Sequence, residues 1–104
     1  MNRYVLSESA ENDLIETLIY TIKKRDLEQA KLSENQISSA FERIADDPFL
    51  IGSKSRDQYE KGCRFFKSGK HITVYLSDRS PIGIVRILHE SMDFDTQLGT
   101  GIFD

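Results

Sequence analysis

The residues of this 104-residue chain with the most chemical potential gather in its second half: the single cysteine Cys63, both histidines His71 and His89, and the arginines Arg64 and Arg86. Between Lys54 and Arg86 there are eight bases (Lys54, Arg56, Lys61, Arg64, Lys67, Lys70, Arg79, Arg86) and three acids (Asp57, Glu60, Asp78), and eight minus three leaves +5, although the whole chain carries −3. A histidine beside two guanidiniums is the minimum set for cleaving a phosphodiester. Such a reaction needs a base for the attacking hydroxyl and cations for the charge that builds on phosphorus. The acidic overall balance weighs against a generic nucleic-acid binder, which gathers bases to neutralise phosphates. The chain has no metal-ligand spacing, glycine-rich phosphate loop or nucleophile constellation, so no metal or cofactor is expected. A lone cysteine cannot close an internal disulfide, and Cys63 among apolar neighbours is expected to behave as a small buried hydrophobe.

These residues need elements to position them. Hydrophobic residues at 38% and charged residues at 30% describe a folding chain, and the length suits one domain over residues 1–104. The apolar runs are too short to cross a bilayer. Nothing near Met1 resembles an export signal, so the cytoplasm is the expected compartment. Arg3–Leu6 reads as a strand, with Tyr4 and Leu6 on one face and Val5 on the other. Ser7 or Ser9 is a fitting cap for a helix carrying Leu14, Ile15, Leu18, Ile19 and Ile22, with Glu11 and Asp13 at the positive end of its dipole. That helix ends near Lys23-Lys24-Arg25. Asp26 then caps a second helix bearing Ala30, Ile37, Ala40, Phe41 and Ile44, which stops before Pro48. The segment Asp47–Gly62 lacks periodicity and reads as a surface crossing. Beyond it the spacing turns to β, with tight turns at Ser68-Gly69 and at Asp78–Pro81.

Two-residue turns dictate a registry. Pairing Lys67 with Lys70 sets Phe65 opposite Ile72 and Arg64 opposite Thr73, and pairing Asp78 with Pro81 sets Thr73 opposite Arg86 and His71 opposite Leu88. One face then holds Cys63, Phe65, Ile72, Val74, Val85 and Ile87, and is the face expected beneath the helices. The outer face holds Arg64, Phe66, His71, Thr73, Tyr75, Arg86 and Leu88, and parity puts His89 on the opposite side from Arg86. The expected fold is α+β: an N-terminal strand added at an edge, an α-helical hairpin, then a three-stranded antiparallel sheet. The tail, residues 91–104, keeps Met92, Phe94, Leu98, Ile102 and Phe103 among small residues, a composition suited either to fraying or to docking.

Four ordered fragments resemble the ParE branch of the ParE/RelE toxin superfamily. They are Leu6-Ser7-Glu8-Ser9-Ala10-Glu11-Asn12-Asp13-Leu14, Phe41-Glu42-Arg43-Ile44-Ala45-Asp46-Asp47-Pro48, Gly62-Cys63-Arg64-Phe65-Phe66-Lys67-Ser68-Gly69-Lys70-His71, and Ile84-Val85-Arg86-Ile87-Leu88-His89-Glu90-Ser91-Met92-Asp93. The resemblance implies the toxin of a type II toxin-antitoxin pair, of the kind linked to plasmid stabilisation. It also implies an inactive hetero-oligomer with a ParD-like antitoxin, and DNA gyrase as the target. A RelE-like messenger RNA endonuclease and a non-toxic member that only binds antitoxin are the alternatives.

In RelE-like ribonucleases the position matching His71 is typically arginine, with a further arginine near Met92. This chain departs at both, so binding without catalysis and without direct nucleic-acid contact is expected. The candidate target-binding residues are Arg64, His71, Thr73, Arg86, Met92 and Phe94. Structural alternatives stand beside these: Arg86 as a salt bridge to Glu90, Asp93 or Asp95, Arg64 as cross-strand support of Thr73, and His89, outside the set, as a hydrogen-bonded packing residue.

Overall fold

Ser7 ends the first strand, β1 (Tyr4–Leu6), and starts the first helix, α1 (Glu8–Lys24). Its hydroxyl accepts from Ala10 N at 3.0 Å and donates to Val85 O at 2.8 Å, so one side chain caps a helix and ties it to a strand. Asp26 does the same locally for α2 (Leu27–Asp46), accepting from Gln29 N at 2.7 Å. Asp47 closes that helix in extended geometry, as the following proline requires. The computed structural model describes residues 3–98. After the helices come β2 (Ser53–Ser55), β3 (Cys63–Ser68), β4 (His71–Leu76), β5 (Ile82–His89) and the one-turn α3 (Phe94–Leu98). None of the described helices is long and apolar enough to cross a membrane.

The α+β architecture matches the expectation, with the sheet larger than foreseen. It has five strands in the order β1-β5-β4-β3-β2, β1 running parallel to β5 and the rest antiparallel. The additional strand is β2, inside the segment read as a surface crossing; three residues hydrogen-bonded to β3 are too few to show a period.

The registry differs from the expected one in both hairpins, at the turn of the first and partway along the second. Ser68 pairs with His71, so the loop is Gly69-Lys70 and Gly69 takes the positive φ of 63°. This two-residue shift keeps every β3 and β4 side chain on its expected face and adds one pair to the ladder. Between β4 and β5 the change is one residue: Tyr75 pairs with Ile84 but Val74 with Arg86, leaving Val85 as a bulge. A slip of one reverses facing. Ile87 and His89 therefore join Thr73 and His71, while Arg86 and Leu88 join Val74 and Ile72.

The covering of the two faces is also the reverse of the expected one. Ile37, Ala40, Phe41 and Ile44 of α2 pack on Phe66, Tyr75, Ile84 and Ile87, so the helices cover the face that carries Arg64 and Thr73. The other face, with Cys63, Phe65, Val74, Leu76 and Leu88, is buried beneath Tyr59, Phe94 and Leu98. Both faces of the central strands are therefore core. The residues named from the sequence for α2 are all buried, whereas Ile15, Ile19 and Ile22 of α1 stay about half exposed beside its inward row of Ala10, Leu14 and Leu18.

Candidate functional site

Arg86 is the most constrained of the sequence-chosen residues. Its Nε and Nη2 donate to the two oxygens of Asp13 at 2.6 and 3.0 Å, and Nη1 and Nη2 also donate to Gln97 O and Oε1, both at 3.2 Å. Asp13 Oδ2 accepts a further bond from Ile87 N at 3.0 Å. The carboxylate thus caps the edge of β5 beyond the reach of β1, where the backbone would otherwise lack a partner. Arg86 was expected on the outer face, its structural alternative being a pair with Glu90, Asp93 or Asp95. The observed partner is Asp13, because the bulge turns Arg86 away from Thr73. Asp13 was missed as a site residue. Its signal in the sequence is its place in the inward row of α1 at helical spacing from Ala10 and Thr17.

The remaining candidates do not form one exposed face. Thr73 is 2% exposed, between Phe66 and Ile87 under the helices, a correction to its expected place on the surface. Arg64 pairs with Tyr75 rather than with Thr73, and its Nη2 donates to Ser53 Oγ at 2.8 Å. Its guanidinium lies 5.0 Å from the centre of the Phe49 ring. His71 sits opposite His89, with ring centres 5.7 Å apart at 87°. The expectation that the two histidines occupy opposite faces is corrected by the same bulge. Burial, and then the neighbouring His89, hold the His71 imidazole below its usual pKa.

In the tail, Met92 is 44% exposed, while the Phe94 ring packs edge-on against Phe65 with centres 5.3 Å apart. Tyr59 stacks on Phe65 and donates to Asp95 at 2.5 Å. That hydrogen bond, then burial, raises the phenol pKa. Ile102 and Phe103 lie outside the described residues. Cys63 is fully buried, and burial pushes its thiol up to about 12, which keeps it unreactive.

Among the described residues, this arrangement leaves no concentration of unpaired cations around a candidate base. Arg64, His71 and Thr73 share a face only beneath the helices, and Arg86 has crossed to the other. Among the described residues, no three His, Cys, Asp or Glu side chains are placed to hold a metal ion. What the surface does offer is apolar. Ile15, Ile19 and Ile22 form a stripe on the flank of α1, and Phe49 and Ile51 project from the connection between α2 and β2. Sequence reasoning had counted these three isoleucines in one apolar stripe with Leu14 and Leu18, and had given Phe49 and Ile51 no role.

A family model described as the ParE toxin of type II toxin-antitoxin systems, parDE, matches residues 4–94. Toxin ParE1 of Mycobacterium tuberculosis (strain ATCC 25618 / H37Rv) is 30% identical over 98 residues, covering 93% of this chain and 98% of that protein. Toxin ParE1 of Caulobacter vibrioides is 29% identical over 99 residues, covering 95% and 100%.

Proposed function

This chain belongs to the ParE toxin family of type II toxin-antitoxin systems, and on that premise we propose that it arrests growth by binding and inhibiting DNA gyrase, without catalysis. The observation that carries the non-catalytic part is the fate of Arg86. A guanidinium held by two carboxylate oxygens and by Gln97 is not available to stabilise a phosphorane. His71 and Arg64, the other ingredients of a nuclease, are engaged in packing, ring contacts and hydrogen bonds away from it.

The neutralising partner in this proposal is a ParD-like antitoxin in a cytoplasmic hetero-oligomer. The half-exposed stripe of Ile15, Ile19 and Ile22 supports a protein partner, because aliphatic side chains at helical spacing suit an amphipathic helix.

Purified protein assayed against gyrase for supercoiling of relaxed plasmid, beside a cell-free translation reaction, tests the reading. Supercoiling is expected to fall while translation continues. Arrested translation with intact supercoiling overturns it in favour of a ribonuclease.

A further inference from the structure

Phe49 is 63% exposed and Ile51 is 96% exposed, yet the turn that carries them is heavily bonded. Asp47 Oδ1 accepts from Phe49 N at 3.1 Å, Asp47 O from Leu50 N at 3.0 Å, and Leu50 O from Ser53 N at 3.0 Å and from Ser53 Oγ at 2.7 Å. The buried Tyr75 hydroxyl donates to Pro48 O at 2.5 Å, anchoring the turn to the core. Leu50, between the two exposed residues, is buried and acts as a plug. Gly52 takes a φ of 96°, a left-handed geometry that favours glycine and closes the turn, and a Cβ there would meet the Phe66 ring at 3.5 Å. One face of the Phe49 ring rests on Arg64, which is itself held by Ser53. Folding therefore holds two large apolar side chains out in water on a braced backbone, an arrangement that costs solvation and gives nothing to the core.

We propose that the Phe49–Ile51 turn is the knob by which this toxin engages its target, inserting into a preformed apolar pocket with an acidic rim on a folded protein. The proposal rests on the binding reading above and names the surface that performs it. Shape separates this site from the α1 flank. A stripe at helical spacing accepts a helix, whereas a rigid protrusion of two side chains needs a concave partner, and anchors of this kind carry much of an interface's energy because little is lost in ordering them.

Charge specifies the rim. Asp46 is paired with Arg3, and Asp47, bonded within the turn, is one acid against several unpaired cations. Among the described residues, Arg43, Lys54 and Arg64 form no salt bridge. Arg43 stacks over Phe66, the ring beneath Gly52, and Arg64 lies under Phe49, so two cations flank the knob, and Lys54 adds a third on the far face of β2, opposite Phe65.

The test compares wild type, Phe49→Ser/Ile51→Ser and Arg43→Glu/Lys54→Glu. Each is measured by thermal unfolding, growth arrest on induction and titration against gyrase in the supercoiling assay. Both pairs should stay folded, the apolar pair within about 3 °C of wild type and the charge-reversed pair lower, since Arg43 sits in the last turn of α2 over Phe66. The apolar pair should lose at least about tenfold in potency, and the charge-reversed pair should lose potency more steeply at low salt than at high. Folded variants as potent as wild type overturn the knob. If wild type arrests growth but leaves supercoiling intact, the gyrase reading fails alone. The knob is then judged by growth: arrest lost in the apolar pair supports it, and arrest retained overturns it. A wild-type chain without effect in either assay overturns both.

Discussion

Removing the Asp13 carboxylate should destabilise the protein more than any exposed substitution, and the size of the loss follows from the geometry. The Asp13 and Arg86 side chains are 13% and 14% exposed, so the pair is largely dehydrated. Deleting one member of such a pair leaves the other charge buried, a cost of about 3–5 kcal/mol. Two local features modify this. Gln97 keeps two bonds to the guanidinium, which lowers the loss, while Ile87 N loses its acceptor, which adds about 1 kcal/mol. About 3 kcal/mol is expected for Asp13→Ala, a fall in Tm of roughly 12 °C or more for a domain of this length. Arg86→Met should cost a similar amount. The double variant Asp13→Ala/Arg86→Met should fall short of the summed single losses by about 2 kcal/mol in urea unfolding, because removing both partners leaves no stranded charge. The double variant should also still arrest growth, since Arg86 acts within the fold. Single losses under about 1 kcal/mol that simply add in the double variant would refute the structural role, as would a stable double variant without toxicity.

Four further outcomes follow from the structure. His71 has its folded pKa depressed below the unfolded value of 6.5, so both states are neutral above that pH. As pH falls below 6.5 the unfolded chain takes up a proton that folded His71 resists, and stability declines until the lowered value is passed. His71→Gln should flatten this part of the urea-midpoint profile between pH 7 and 5, and an unchanged slope would exclude His71 as its source. Gly83 pairs with Val5 and Leu76, and a Cβ there meets nothing within 4 Å, so Gly83→Ala should stabilise by about 0.4–1 kcal/mol. Gly62→Ala should instead cost about 1–3 kcal/mol, because φ is +85° and the added atom would lie 2.6 Å from Asp78 Cγ. Thermal unfolding of the two glycine variants checks both signs. Finally, native Cys63 should resist a thiol reagent at pH 8 and react only as fast as the chain opens, which is read by labelling with and without denaturant.

The helices were legible because their signals are local. Ser7 and Asp26 cap as expected, Pro48 stops α2, and Ala30, Ile37, Ala40, Phe41 and Ile44 share a buried face. The three long strands were legible in order, but β2, the loop of the first hairpin and the registry were not. The glycine of the first hairpin is compatible with either of two turn positions, and a two-residue shift leaves burial unchanged. The bulge at Val85 has no sequence mark, since Ile84, Val85, Ile87 and Leu88 are apolar on whichever side they fall. The site followed the registry, so the expected grouping of Arg64, His71, Thr73 and Arg86 dissolved with one inserted residue. One clue was present. Ile72-Thr73-Val74-Tyr75-Leu76 does not alternate in polarity, and such a run marks a strand buried on both faces.

A strand covered on both faces also changes where binding must occur. With the helices on one side and Tyr59, Phe94 and Leu98 on the other, the sheet retains, among the described residues, its rims for a partner. Those rims are the outer edges of β1 and β2, the hairpin tip at Gly69-Lys70 and the connections between elements. The edge strands have three residues each, too short to template a long added strand. The hairpin tip is polar, and Lys67 there is paired with Glu90 at 2.9 Å. The connection from α2 to β2 is the rim position that combines a braced backbone with exposed apolar side chains. Arg64, chosen from the sequence as a contact residue on an open face, thus acquires a different role, as the floor on which Phe49 stands. Arg64→Gln tests it: with Ser53 still hydrogen-bonded but the cation beneath the ring gone, potency should fall several-fold while Tm moves little. Loss of stability without loss of potency would return Arg64 to a purely structural part.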